Sequence, residues 1–160
     1  MSESIRGDEV ELENGKYKTA YFENSKDLLR GLNSVSKSFC LAKWYNVSVH
    51  VPTGRTHSCY HPPTHKVPLE ELKNNPGALH NTLHKKEQRK KMLLGERPKE
   101  CSFCWDIEDA GNISDRAYRS FDVYTTDAIE EAISLGFEGN PAPKYLEVNF
   151  NQACNFKCSY

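Results

Sequence analysis

Apolar positions in this chain come in short bursts whose spacing shifts between helical and extended. Leu28, Leu29 and Leu32 recur at three and four residues, which predicts a helix over 25–32 with Ser25 as its N-cap. From Trp44 to His50, apolar and polar residues alternate as in a half-buried strand. Pro52–Arg55 then forms a turn, and Thr56–Tyr60 is the returning strand of a hairpin. Pro62, Pro63, Pro68, Pro76 and Gly77 forbid long elements and leave room for a short helix near Leu69–Lys73. Leu79–Leu94 is a longer helix stopped by Gly95 and Pro98. Asp127–Leu135 is another, with Asp127 as cap and Gly136 as terminator. After a Gly139–Pro143 linker, Leu146, Val148 and Phe150 alternate with Glu147 and Asn149, so Tyr145–Phe150 is a strand. No internal repeat or low-complexity tract interrupts this order.

Composition narrows the class. Of 160 residues, 38% are hydrophobic and 27% charged, which is little core-forming material for an independent domain. Bound metal or further chain would compensate. The net charge of −1 gives no general reason to expect nucleic acid or an anionic membrane as partner. The basic run Lys85, Lys86, Arg89, Lys90, Lys91 is read as a solvated helix face. No stretch reaches the roughly 18 apolar residues of a membrane span, and the polar lead-in over 1–24 has no signal-peptide core. A cytoplasmic location is therefore expected, where six cysteines are metal ligands or redox groups in preference to disulfides.

The cysteines fall into two constellations. Cys101 and Cys104 form a C-x-x-C on one tight turn, and the predicted hairpin brings Cys40 and Cys59 near each other. Four thiolates suit structural zinc or an iron–sulfur cluster, and the chemistry alone leaves both open. A thiol redox pair at Cys101 and Cys104 ranks last, because the βαβ setting of that motif is missing. The second constellation is Cys154 and Cys158, directly after the last strand. Three thiolates in one such loop hold three irons and leave the fourth open to a ligand; here the chain ends at Tyr160 with two. His57, His61 and His65 surround Cys59, and His80 and His84 are spaced i, i+4; ordinary surface or partly buried histidines are the expectation for all five. Trp44 and Trp105 are expected in the core or shielding a cluster. Asp106, Glu108 and Asp109 are expected as solvated loop charges.

The order of Phe39, Cys40, Trp44, Gly54, Cys59, then Met92-to-Pro98, Cys101, Cys104 and Gly111 resembles the twitch and SPASM auxiliary-cluster domains of radical S-adenosylmethionine (radical SAM) enzymes. The resemblance covers about residues 39–111 and implies that Cys40, Cys59, Cys101 and Cys104 hold an auxiliary 4Fe-4S cluster. Cys154, Asn155, Phe156, Cys158 and Tyr160 resemble the start of the radical SAM core signature, with Tyr145–Phe150 as the first barrel strand. The implied fold class is α+β: a small hairpin and helices around a metal site (25–126), then the truncated opening of an α/β, partial TIM-type barrel (127–160). The implied full-length activity is reductive cleavage of S-adenosylmethionine to a deoxyadenosyl radical for hydrogen abstraction. Its partners would be S-adenosylmethionine, an electron donor and a peptide or protein substrate. With two of three core thiolates, the chain alone is expected to be a catalytically inactive front portion. The alternative is a zinc-stabilised four-cysteine binding module.

Overall fold

A computed structural model describes residues 24–121 and 123–151. Among the described residues, seven α-helices and a four-stranded mixed sheet make up an α+β fold, with no barrel. Cys154, Cys158 and all but the last residue of the lead-in lie outside the described residues.

Helix α1 (Ser25–Val35) is capped by Asn24, one residue before the predicted Ser25: the Asn24 carboxamide accepts from the Asp27 amide at 3.0 Å. Leu28 and Leu32 are its buried positions. The residues around Trp44 differ from prediction: Leu41–Tyr45 is a short helix, α2, and strand β1 begins only at Asn46 (Asn46–His50). All five residues of α2 are buried, so no solvent face imprints a helical period on the sequence. Strand β2 (Arg55–His57) is shorter than predicted and pairs antiparallel with β1 across a turn in which Gly54 takes φ +62°. β3 (His65–Lys66) extends the sheet on one side.

Helix α3 (Leu69–Asn74) lies where the short helix was expected. Helix α4 (Leu83–Leu93) begins later than predicted, since Pro76–Leu79 is a separate 3-10 turn and Thr82 caps α4 through the Lys85 amide at 3.0 Å. Helices α5 (Ser102–Asp109) and α6 (Asp115–Phe121) were not foreseen. Helix α7 (Asp127–Leu135) spans the predicted range and ends at Gly136, but Asp127 is its first helical residue and Thr126 its cap, with no side-chain capping bond.

Strand β4 (Tyr145–Asn149) pairs in parallel with β1, so the strand order is β3-β2-β1-β4. The Lys144 amide also donates to the Tyr45 carbonyl at 2.8 Å, just ahead of that pairing. Register places Asn46, Ser48, His57, Tyr145 and Glu147 on one sheet face, and Val47, Val49, Leu146 and Val148 on the other. The core is gathered on the helical side: Leu28, Leu32, Phe39, Leu41, Trp44, Tyr45, Met92, Trp105, Tyr124 and Ile129 pack with Cys101 and Cys104. The Trp44 indole N–H donates to Gly136 at 3.0 Å and that of Trp105 to Pro98 at 3.0 Å, so both tryptophans are core residues with satisfied polar ends. No helix among the described residues is long and apolar enough to cross a membrane.

Candidate metal centre

Cys40, Cys59, Cys101 and Cys104 line one cavity of about 600 Å³. They reach it from three segments. Cys40 immediately precedes α2, Cys59 follows β2, and Cys101 and Cys104 lie at the end of a 3-10 turn and in the first turn of α5. The C-x-x-C thus sits at a helix start, where the sequence reading placed a tight turn. Asn46 and Ser48 of β1, Met92 of α4 and Trp105 of α5 supply further wall. All four cysteines are free thiols. Among the described residues no group of three or more His, Cys, Asp or Glu converges closely enough to clasp a single metal ion.

The electrostatics of the four sulfurs are divided. Desolvation raises all four thiols: Cys40 above its ordinary value, Cys59 to about 11, Cys101 and Cys104 each to about 12. Against this, nearby groups favour the thiolates: Arg116 and Lys43 lower Cys40, and Lys43 lowers Cys101, with smaller effects of the Ala42 and Lys43 amides on Cys40, the His61 amide on Cys59, and the Ser114 side chain and Arg116 amide on Cys104. Desolvation prevails at all four, so it is a bound metal that would hold these sulfurs as thiolates.

Two buried ion pairs fix the cysteine segments to one another. The Lys43 ammonium, 3% exposed, meets Glu100 at 2.5 Å, and Glu100 directly precedes Cys101. Arg116 grips both Glu108 oxygens at 2.9 and 2.6 Å and donates to the Phe39 carbonyl at 2.6 Å, next to Cys40. Glu108 is therefore no solvated loop charge. It lies on α5, one turn after Cys104, while Asp109 on the same helix does face solvent and pairs with Arg97. Lys43, Glu100 and Arg116 were missed in the sequence. The available signal was position alone: Lys43 three residues after Cys40, and Glu100 immediately before Cys101.

The basic run also needs correction. Lys85 and Arg89 are buried on α4, not solvated, and donate to backbone carbonyls at the end of α2 and the start of β1. Lys90 is exposed as expected. The histidines join no metal-binding group among the described residues. His61 lines the cavity, stacks on Phe103 and bonds Asp115 at 3.0 Å. His50, a residue not singled out in the sequence, meets His57 Nε2 to Nε2 at 3.0 Å on the sheet face. His84 holds the second oxygen of Glu100 at 2.6 Å and stacks near His65. His80 is buried, with Nε2 making no hydrogen bond. Comparison with protein-family models, curated proteins and solved structures finds no match to this chain.

Proposed function

We propose that this chain is the N-terminal part of a radical S-adenosylmethionine iron–sulfur enzyme and that its four-cysteine cavity takes an auxiliary 4Fe-4S cluster. The observation that carries the reading is the gathering of Cys40, Cys59, Cys101 and Cys104, from three separate segments, around one cavity of about 600 Å³. Four thiolates are a donor set for zinc or for an iron–sulfur cluster. A cavity of about 600 Å³ shared by the four sulfurs has room for a group several ångströms across.

A cluster held by four cysteines has no open iron, so its chemistry when bound is electron relay or support of a neighbouring substrate region. The chain's own contribution is orientation: Lys43–Glu100 and Arg116–Glu108 hold the ligand segments in register, and Met92 and Trp105 limit water. Cys154 and Cys158 are proposed as two ligands of the core cluster that would bind S-adenosylmethionine in the complete enzyme. Its substrate would be a peptide or protein and its reductant a separate electron donor.

Anaerobic reconstitution with iron and sulfide tests this reading. The protein should turn brown and hold about four irons and four sulfides at this site. The Cys101→Ser variant should lose that cluster while retaining its helical circular dichroism. A colourless protein holding one tightly bound zinc would replace this reading with the four-cysteine zinc module. S-adenosylmethionine cleavage is not expected from residues 1–160 alone.

A further inference from the structure

Four basic side chains are buried in this fold: Lys43 and Arg116, which line the cavity, and Lys85 and Arg89 on α4, which do not. Two have carboxylate partners, Glu100 for Lys43 and Glu108 for Arg116. Lys85 and Arg89 differ. Lys85 Nζ bonds the Asn46 carbonyl at 2.8 Å and His80 Nδ1 at 3.0 Å. Arg89 bonds the carbonyls of Lys43, Trp44 and Gly139 and the Asn81 side chain, at 2.8–3.3 Å. Among the described residues neither makes a hydrogen bond or ion pair with a carboxylate. Capping carbonyls explains the donors, but a neutral amide would do that too. The charge of Lys85 is left without a role: burial, then Arg89 and Lys43, push its ammonium well below the ordinary 10.5, as befits a buried charge that nothing balances.

The cavity offers the balance. Asn46, the residue that Lys85 grips, lines it, and Lys85 lies within electrostatic reach of Cys59 and Glu100. Arg89 grips the backbone of Lys43, another cavity residue. A tetrathiolate centre, whether zinc or an oxidised 4Fe-4S cluster, carries about two negative charges in total. We infer that Lys85 is a counter-charge of an anionic tetrathiolate centre in this cavity, which couples its occupancy to the stability of the fold. The inference rests on the proposed function only in requiring that the cavity take a metal centre. It holds for zinc as for iron and sulfide.

Lys85→Gln tests it, since glutamine keeps a donor for Asn46 and removes the charge; Lys85→Arg keeps the charge. Lys85→Met serves as a second neutral variant should the glutamine variant not fold. Each protein is melted metal-free and after loading, and a chelator competition follows metal release. Relative to wild type, Lys85→Gln should melt higher when metal-free, by about 2 °C or more. It should gain less on loading and release its metal about ten-fold faster. In the iron–sulfur form its midpoint potential should move to more negative values, because reduction adds a negative charge that Lys85 no longer offsets. Lys85→Arg should follow wild type in all four readouts. Equal melting shifts in the two forms, with release and potential unchanged, overturn the counter-charge role while leaving the metal centre intact. A wild-type protein that takes neither zinc nor an iron–sulfur cluster overturns both.

Discussion

Arg116 shows how much one side chain decides in this fold. Its guanidinium spans the Phe39 carbonyl, both oxygens of Glu108 and the Asn33 carboxamide, all within 2.9 Å, and so ties α1, the Cys40 segment and α5 together. A lysine has no planar fork to reach these acceptors at once. Removing the carboxylate instead leaves a buried cation without its partner, a type of change that costs about 3–5 kcal/mol. Glu108→Gln should therefore lower the free energy of unfolding by about 3 kcal/mol, read as a lower urea midpoint with an unchanged denaturant slope. A loss below about 1 kcal/mol would mean that the pair is no better than a surface contact.

At the scale of elements, what the sequence displayed and what it hid divide along physical lines. The span of helix α7 was legible because one face is apolar and Gly136 stops it. Gly136 sits at φ +62° and ψ −159°, a region nearly closed to other residues, and its carbonyl accepts from Trp44. Gly136→Ala should cost about 1–3 kcal/mol in the same urea experiment, and a neutral result would show that the backbone there can relax. Helix α2 was illegible because all five of its residues are buried, so its pattern carries no polar face. Lys85 and Arg89 misled for the opposite reason. Charged residues on a helix read as solvent-facing, and only the tertiary fold brings the carbonyls of Lys43, Trp44 and Asn46 against them. The gathering of the four cysteines could be anticipated from hairpin and C-x-x-C spacing. The ion pairs that brace them could not, since Lys43 and Glu100 lie 57 positions apart.

For the molecule as a whole, the polar groups buried between sheet and helices make acid the vulnerable side. Burial, then Lys85 and Arg89, hold His80 down at about 3. Burial, then His84, hold His65 at about 4. For Glu100, burial pushes the carboxyl upward, but the bonds from His84 and Lys43 prevail and bring it to about 2. An unfolded chain protonates both histidines near their ordinary value of 6.5, whereas the folded chain resists until about 4 and 3. Their contribution to stability is thus complete above pH 6.5 and declines as the pH falls toward those folded values. Glu100 adds a further loss between 4.5 and about 2. Each unit of separation corresponds to about 1.4 kcal/mol, so between pH 7 and 4 His80 removes about 3 kcal/mol and the half-buried His65, which solvent screens, less, together about 5 kcal/mol. That is comparable to the whole stability of many domains, about 5–15 kcal/mol. The metal-free protein should accordingly show a urea midpoint that falls steadily from pH 7 and approaches spontaneous unfolding near pH 4. His80→Gln, which removes one of the two titrating rings, should flatten that fall by about half, because one fewer proton is taken up on unfolding. A midpoint level between pH 7 and 5, or a slope that His80→Gln leaves unchanged, would show that these imidazoles are solvated in the folded chain.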